Sequence, residues 1–242
     1  MLRLSVNINK VALIRNAREG NLPNLVQFAK DCELFGADGI TVHPRPDERH
    51  IRFSDVPEVK EVVTTEFNIE GYPTEKFIEL IKTNHPDQCT LVPDGPDVLT
   101  SAQGWNTVAN ASLLKECIYE IKQSGTRVSL FMENDVQQID CAKAVGADRI
   151  ELYTGPYARQ FSEDRHKAIE PYKEAAKTAA TLGLGINAGH DLNLQNLRFF
   201  AGEIENLLEV SIGHALISDA LYVGIEKAIG QYKSLLHSNL PV

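Results

Sequence analysis

The sequence of 242 residues contains little that would indicate a protein held together by disulfides or metal ions. Its 4 cysteines are scattered along the chain and form no C-x-x-C pair. A disulfide framework needs denser, paired cysteines, and a zinc site needs closely spaced ligands, so both are disfavoured. Isolated thiols are typical of a reducing compartment, and we therefore expect a cytoplasmic protein.

Long apolar runs and an excess of positive charge are also missing. No stretch reaches the roughly 18 consecutive apolar residues that span a bilayer, and the N-terminus lacks the apolar centre of a secretory signal. The chain has 24 Lys and Arg against 33 Asp and Glu, a net charge of −9. The sequence therefore predicts no membrane and no nucleic-acid partner. Small anionic ligands stay possible, because a pocket uses its local field and backbone donors.

Short β-rich runs alternate with longer stretches of helical period along the whole chain. This alternation is typical of a parallel sheet with crossover helices. The predicted strands are Leu4–Asn7, Gly39–His43, Phe67–Glu70, Gln88–Val92, Arg127–Phe131, Arg149–Tyr153, Leu184–Ala188 and Leu208–Ile212. The predicted helices are Leu22–Phe35, Thr74–Ile81, Ser112–Gln123, Val136–Val145, His166–Leu182, Leu194–Glu205 and Asp219–Leu236.

Eight strand–helix units in about 250 residues predict one α/β domain over residues 1–242, a (β/α)₈ TIM barrel. The phrase Gly-Ala-Asp recurs at 36–38 and 146–148, four units apart. An open doubly wound sheet is the alternative, although no G-x-G-x-x-G follows the first strand. Two irregular stretches, Pro93–Asn110 and Thr154–Arg165, are expected over the barrel mouth, where we predict that the second closes as a lid.

Polar residues end several predicted strands, where a barrel places its chemistry. His43, Glu70 and His190 end the second, third and seventh strands. Each could belong to a polar rim or bond within the core, but their joint identity favours acid/base catalysis, and burial would raise the pKa of Glu70. The remaining polar strand ends are Asn7, Asn9, Glu151, Tyr153, Asn187 and His214.

The segments that follow these strand ends suit anion binding. After His43, a proline-rich loop presents Arg45 and His50 as donors. Gly213 precedes a helix expected to start near Ser218, and a helix N-terminus can hold a phosphate. Asp191 is expected to cap a helix near Leu192. The sequence has no H-E-x-x-H motif, and we expect catalysis without metal or cofactor.

These segments together resemble the pyridoxine 5′-phosphate synthase family over nearly the whole chain. The resemblance is carried by Asn7–Asn9, Arg15–Arg18, Gly36–His43 with Arg45, Arg49–Ile51, Asn68–Glu70, Leu91–Pro93, Asn187–His190 and Ile212–Ala215. It implies a barrel with extra helices, a homo-octamer, and condensation of 3-amino-2-oxopropyl phosphate with 1-deoxy-D-xylulose 5-phosphate, releasing phosphate and water.

The same resemblance implies a role for individual residues. His43 and Glu70 would be proton acceptors, and His190 a proton donor. The groups that would hold the amino ketone phosphate are Asn7, Arg18, Gly213, His214 and the backbone of Asp191. The groups that would hold the deoxyxylulose phosphate are Arg45, His50 and Thr100.

The sequence departs from the commonest family pattern at two places. Asn9-Lys10 replaces Asp-His, which leaves open whether Lys10 contacts a phosphate or faces solvent, and whether Asn9 binds substrate. Asp191 replaces a glycine. Two other functions stay open: a metal-free aldolase or isomerase acting on one sugar phosphate, and a catalytically silent ligand-binding barrel.

Overall fold

Eight parallel strands form a closed barrel in chain order, and β1 pairs with β8 to close it. The computed structural model describes residues 1–94 and 103–237. The strands are β1 (Arg3–Asn7), β2 (Gly39–Val42), β3 (Glu66–Gly71), β4 (Gln88–Leu91), β5 (Arg127–Met132), β6 (Arg149–Tyr153), β7 (Gly185–Gly189) and β8 (Leu207–Ile212). The predicted (β/α)₈ barrel is confirmed, and the open doubly wound sheet is wrong.

Helices surround the barrel and include more than one per strand at several places, as the resemblance implied. They are α1 (Asn9–Asn16), α2 (Leu25–Leu34), α3 (Asp55–Val62), α4 (Glu75–Asn84), α5 (Ala111–Lys122), α6 (Val136–Ala144), α7 (Gly155–Gln160), α8 (Arg165–Thr181), α9 (Leu197–Glu203), α10 (His214–Val223) and α11 (Ile225–His237). Within the described ranges, no helix is both long enough and apolar enough to cross a bilayer.

Several helix predictions are wrong in extent. The predicted helix Asp219–Leu236 is two helices, α10 and α11, because Gly224 between them has a φ of 84° that ends the first. The helix predicted from Leu22 begins at Leu25, where the Asn24 side chain accepts a hydrogen bond from the Gln27 amide. The segment Thr154–Arg165, predicted to be irregular, contains α7.

The recurring Gly-Ala-Asp phrase has the same structural role in both halves of the barrel. Gly36 and Gly146 have φ values of 101° and 97°. The Asp38 carboxylate then accepts a hydrogen bond from the Leu4 amide of β1 at 2.8 Å. Likewise, the Asp148 carboxylate accepts one from the Val128 amide of β5 at 2.9 Å. Each aspartate therefore ties the start of one strand to the turn before the next.

Alternation along β3 shows how the barrel interior is filled. Phe67 and Ile69 are buried in the apolar core. The alternate residues of β3 face the barrel interior, because successive side chains of a strand point to opposite sides. Glu66 pairs with Arg3 of β1 and Arg127 of β5, at the amino-terminal end of the barrel. Next come Asn68 and then Glu70, so polar groups occupy three successive levels of the interior.

Asparagine and hydroxyl side chains form the middle level. Asn68 donates to Thr41 at 3.3 Å and accepts from Thr90 at 3.1 Å. Ser5 lies 2.7 Å from Thr41, oxygen to oxygen. These buried groups satisfy one another, which is what a closed interior requires of polar atoms. They form the floor beneath the residues at the carboxyl ends of the strands.

The Asp148→Ala substitution is expected to lower the free energy of unfolding by about 1–2 kcal/mol, because the buried amide of Val128 loses its acceptor. Urea unfolding followed by circular dichroism measures the change. The control is Asp140→Ala, an exposed aspartate of α6, expected to cost less than about 0.5 kcal/mol. Equal losses in the two variants would contradict this role for Asp148.

Candidate active site

A cavity of about 510 Å³ opens at the carboxyl ends of the strands. It brings together eleven of the thirteen residues predicted from the sequence. They are Asn7, Asn9, Lys10, His43, Arg45, His50, Glu70, His190, Asp191, Gly213 and His214. The cavity also contains residues that the site prediction did not include, among them Arg49, Phe131 and Glu151.

Two predicted site residues do not join this group. Arg18 follows the end of α1, is exposed, and does not line the cavity. Thr100 lies outside the described residues. The structure therefore places the predicted catalytic groups together, but it does not support a phosphate-binding role for Arg18 or Thr100.

His43 and Glu70 meet at the base of the cavity. Glu70 Oε2 lies 3.8 Å from His43 Nδ1 and accepts a hydrogen bond from the Asn7 side-chain amide at 3.3 Å. Burial, reinforced by the charge of Asp94, raises the pKa of Glu70 to about 8. Burial also lowers the pKa of His43 to about 3, with the positive charges of neighbouring groups adding to the effect. Although the distance is within ion-pair range, both groups are neutral at pH 7.

The turn after β1 positions His43 through Asn9. The Asn9 side-chain oxygen accepts a hydrogen bond from the His43 amide at 2.9 Å, and the Asn9 amide donates to Asn7. Asn9 is therefore bonded within the protein at the edge of the cavity. Lys10 lines the same cavity, and its charge is among the causes that lower the pKa of His50 to about 4, after burial and Arg45.

Glu151 is a second buried carboxyl at the carboxyl end of the strands. It lies on β6 and lines the cavity. Burial raises its pKa well above the usual value, and the charge of Glu70 adds to this. The sequence already indicates Glu151 as a polar strand end, because the two-residue period of β6 turns Arg149, Glu151 and Tyr153 to the same side, but it assigns Glu151 no role in the site.

His190 is held in an uncommon backbone conformation at the end of β7. Its φ is 94°, in the region that favours glycine. Its ring packs against Tyr153 at a centroid distance of 5.1 Å and 88°, and lies 6.4 Å from the Phe131 ring. Non-glycine residues hold such a conformation where surrounding contacts impose it, often at functional sites.

Asp191 does not cap a helix near Leu192, as the sequence had suggested. The next helix, α9, begins at Leu197, five residues further on. The Asp191 carboxylate instead lies 2.8 Å from Nδ1 of His190. Its backbone amide, assigned to phosphate by the resemblance, donates to Thr154 Oγ1 at 3.3 Å.

The loop after β2 supplies the cationic side of the cavity. Arg45 is almost fully buried, with its guanidinium 3.8 Å from the Asp94 carboxylate. The Arg15 guanidinium forms two hydrogen bonds with Asp55, of 2.7 and 2.8 Å, and donates a third to the His50 carbonyl. Arg15 therefore fixes the backbone from which His50 reaches the cavity.

Gly213 and His214 bring the start of α10 to the cavity from the end of β8, which is separated from β2 by β1 alone. α10 begins at His214, four residues before the predicted Ser218, so its first turn lies at the cavity. A Cβ on Gly213 would be 3.1 Å from Asn7 Cβ, a tight contact, so a larger residue would require Asn7 to move. Backbone amides of a helix N-terminus are suited to an anion. Within the described part of the chain, no three His, Cys, Asp or Glu residues are grouped as metal ligands.

The sequence profile of the family described as "Pyridoxal phosphate biosynthesis protein PdxJ" matches residues 4–238. The chain belongs to this family. A relative from Parabacteroides distasonis is 59% identical over 98% of this chain and 100% of its own length. One from Porphyromonas gingivalis is 56% identical over 98% of this chain and 99% of its own. Both relatives are named pyridoxine 5′-phosphate synthase, so the PdxJ family is one of enzymes.

Solved structures share the fold at low sequence identity. Phosphoribosylanthranilate isomerase from Thermotoga maritima is similar with a TM-score of 0.61 and 13% identity over 98% of both chains. Tryptophan synthase from M. tuberculosis gives a TM-score of 0.65 with 9% identity, over 97% of this chain and 92% of its own. These similarities support the barrel fold alone.

The Glu70→Gln substitution is expected to stabilise the protein increasingly as the pH rises. The pKa of this carboxyl is about 8 in the folded state against an ordinary 4.5. Between these two pH values, the folded state therefore retains a proton that the unfolded state releases. Raising the pH through this window therefore costs the wild type stability, and glutamine removes the cost. The gain should be about 4 kcal/mol larger at pH 8.5 than at pH 5.

Urea unfolding at both pH values measures this difference. The control is Glu61→Gln, which removes an exposed carboxylate of α3. A stability difference between Glu70→Gln and wild type that stays constant with pH would show that Glu70 is not held protonated.

Proposed function

We propose that this chain is a pyridoxine 5′-phosphate synthase. It would condense 3-amino-2-oxopropyl phosphate with 1-deoxy-D-xylulose 5-phosphate, releasing inorganic phosphate and water. The observation that carries the proposal is the meeting of His43, Glu70 and His190 in one cavity, in a chain of the PdxJ family. The names of its relatives support the same product.

The paired groups suit the proton transfers of such a condensation. Joining an amine to a ketone, eliminating water and closing an aromatic ring all move protons, so several acid/base groups are required. His43 is unprotonated at pH 7, and its low pKa makes it a weak base until a phosphorylated substrate places negative charge beside it, after which it would accept a proton as the resemblance implies. Glu70, with its pKa of about 8, enters protonated. It would therefore donate a proton to a leaving hydroxyl before it acts as an acceptor.

A positively charged intermediate would help Glu70 change between these two states. An iminium beside the carboxyl would favour its ionised form, because an opposite charge within a few ångströms lowers a carboxyl pKa. The Asn7 amide already donates to Glu70 Oε2 and would stabilise the carboxylate. Glu151 would add a second carboxyl to the cycle, and His190 would supply the proton-donating imidazole.

Two groups of residues that line the cavity are suited to bind the two substrate phosphates. Arg45, Arg49 and His50, with Lys10, would hold the phosphate of the sugar. Because that phosphate is the leaving group, positive charge around it would stabilise its departure. Gly213, His214 and the first turn of α10 would hold the phosphate of the amino ketone, with Asn7 beside them. The acid/base groups that line the same cavity would supply this chemistry without a metal or an organic cofactor.

Incubating purified protein with both phosphorylated substrates tests the proposal. Pyridoxine 5′-phosphate and inorganic phosphate should appear together, and only when both substrates are present. Consumption of the sugar phosphate without the amino ketone would instead indicate an aldolase or isomerase. Tight binding of either phosphate without turnover from pH 6 to 9 would indicate a ligand-binding barrel. Either result would overturn the proposal.

The proposed enzyme is a homo-octamer, as the sequence resemblance implies, and is cytoplasmic, as the isolated cysteines indicate. Large apolar side chains at the exposed end of α10, Leu221 and Tyr222, support a further subunit contact. Sedimentation of the purified chain measures the number of subunits.

The segment 154–165 is proposed to close over bound substrates, because excluding water would protect reactive imine intermediates. Closure should slow tryptic cleavage after Arg159 at least about fivefold when both phosphate sites are filled. Limited proteolysis followed by mass spectrometry measures the rate. Cleavage after the exposed Lys30 of α2 serves as the internal control, and equal protection at both positions would argue against a lid.

A further inference from the structure

We propose that the Asp191 side chain is a positioning residue for His190, holding Nδ1 of the imidazole so that Nε2 is the nitrogen that exchanges protons with substrate. This inference rests on the proposed function. It concerns the carboxylate of Asp191, whereas the family resemblance assigns only the backbone at this position.

The contact between Asp191 and His190 is short, and its donor and acceptor can be assigned. Asp191 Oδ2 lies 2.8 Å from His190 Nδ1. The pKa of Asp191 is held below its ordinary value, mainly by this hydrogen bond and next by the charge of His190, against the opposing effect of partial burial. An ionised carboxylate only accepts, so Nδ1 carries the proton and the tautomer is fixed. With Nδ1 assigned in this way, Nε2 is the ring nitrogen that we infer exchanges protons with substrate.

The backbone on both sides of His190 is held in place, so the carboxylate is presented in one position. Thr154, fully buried at the end of β6, donates through Oγ1 to the Gly189 carbonyl at 2.8 Å. The same oxygen accepts the Asp191 amide. Asn196 donates to the Asp191 carbonyl at 3.2 Å. These bonds fix the residues that flank the uncommon φ of His190.

The ring is also limited by its neighbours. Tyr153 packs edge-on against the imidazole, and Phe131 borders the cavity beside it. Aromatic contacts restrict the plane of the ring, but they do not choose between its two nitrogens. The carboxylate of Asp191 makes that choice.

The carboxylate of Asp191 and the imidazole of His190 lie within ion-pair distance of each other. Other charged or titratable groups surround the pair. Arg159 of α7 and His214 of α10 both act on Asp191, and Glu151 of β6 lies against the strand end that carries His190. The side chain of Asp191 is 44% exposed and that of His190 25%. Solvent therefore weakens the interaction without abolishing it, and we expect a moderate effect of its loss.

The Asp191→Asn substitution keeps the shape of the side chain and removes its charge. We expect kcat to fall about tenfold, with KM for both substrates changed less than about twofold. The alkaline limb of the pH profile of kcat should move about one unit to lower pH, because the imidazolium loses its counter-charge. Asp191→Glu should return the limb towards the wild-type position. Asp140→Asn, an exposed substitution of the same type on α6, should change neither kcat nor the limb.

A second measurement does not depend on turnover. Diethyl pyrocarbonate modifies neutral imidazoles, and mass spectrometry reports its rate at His190 as a function of pH. In Asp191→Asn, modification of His190 should reach half its maximal rate about one unit lower than in wild type. This shift is expected even if the wild type makes no pyridoxine 5′-phosphate, so failure of the proposed function and failure of this inference are distinguishable.

Two results would overturn the inference. One is an unchanged pH dependence of His190 modification in Asp191→Asn. The other is a loss of kcat that is equal at every pH and is not restored by Asp191→Glu, since that pattern indicates a purely structural role. If Asp191→Asn fails to fold, Asp191→Gly carries the same modification test, because glycine removes the charge and suits the turn.

Discussion

In a closed barrel, every second side chain of each strand points into an interior packed with other side chains. The rest of this structure depends on that enclosure. Polar groups placed there must bond with one another, because an unpaired buried polar atom is costly. β3 shows the result, since Glu66, Asn68 and Glu70 face inward at three levels. In the lower two levels, arginines contact Glu66, and hydroxyl groups hydrogen-bond with Asn68. Glu70, at the top, retains a raised pKa.

The two carboxyls of β3 therefore have different surroundings at the two ends of the barrel. At the amino-terminal end, Glu66 is surrounded by Arg3, Arg127 and Arg149, and its carboxylate is matched by their charges. At the carboxyl end, no cation among the described residues is in hydrogen-bond contact with the carboxyl of Glu70, which faces neutral His43 instead. Burial without a counter-charge is what shifts a carboxyl into the range useful for proton transfer. The same burial destabilises the ionised protein, which is a typical cost of an active site.

The features predicted from the sequence are those that follow from regular periodicity. All eight strands were predicted, and with them the positions of His43, Glu70 and His190 at strand ends. α1 and α3 were missed because their buried faces include Arg15 and Asp55, a charged pair that hides the apolar period of both helices. The contact between His190 and Asp191 was also missed, because it depends on the backbone torsion of His190. No period of the sequence encodes that torsion.

The bonds of Thr154 connect two features that the sequence presented separately. Thr154 begins the segment proposed to close over the substrates, and its hydroxyl is bonded to both Gly189 and Asp191. A movement of α7 transmitted to Thr154 would therefore shift both neighbours of His190 at once. Tyr157 of α7 is fully buried and donates to the Asn196 carbonyl, while the Asn196 side chain donates to Asp191. The proposed closure of the segment and the orientation of the imidazole would thus be joined by two hydrogen-bonded routes.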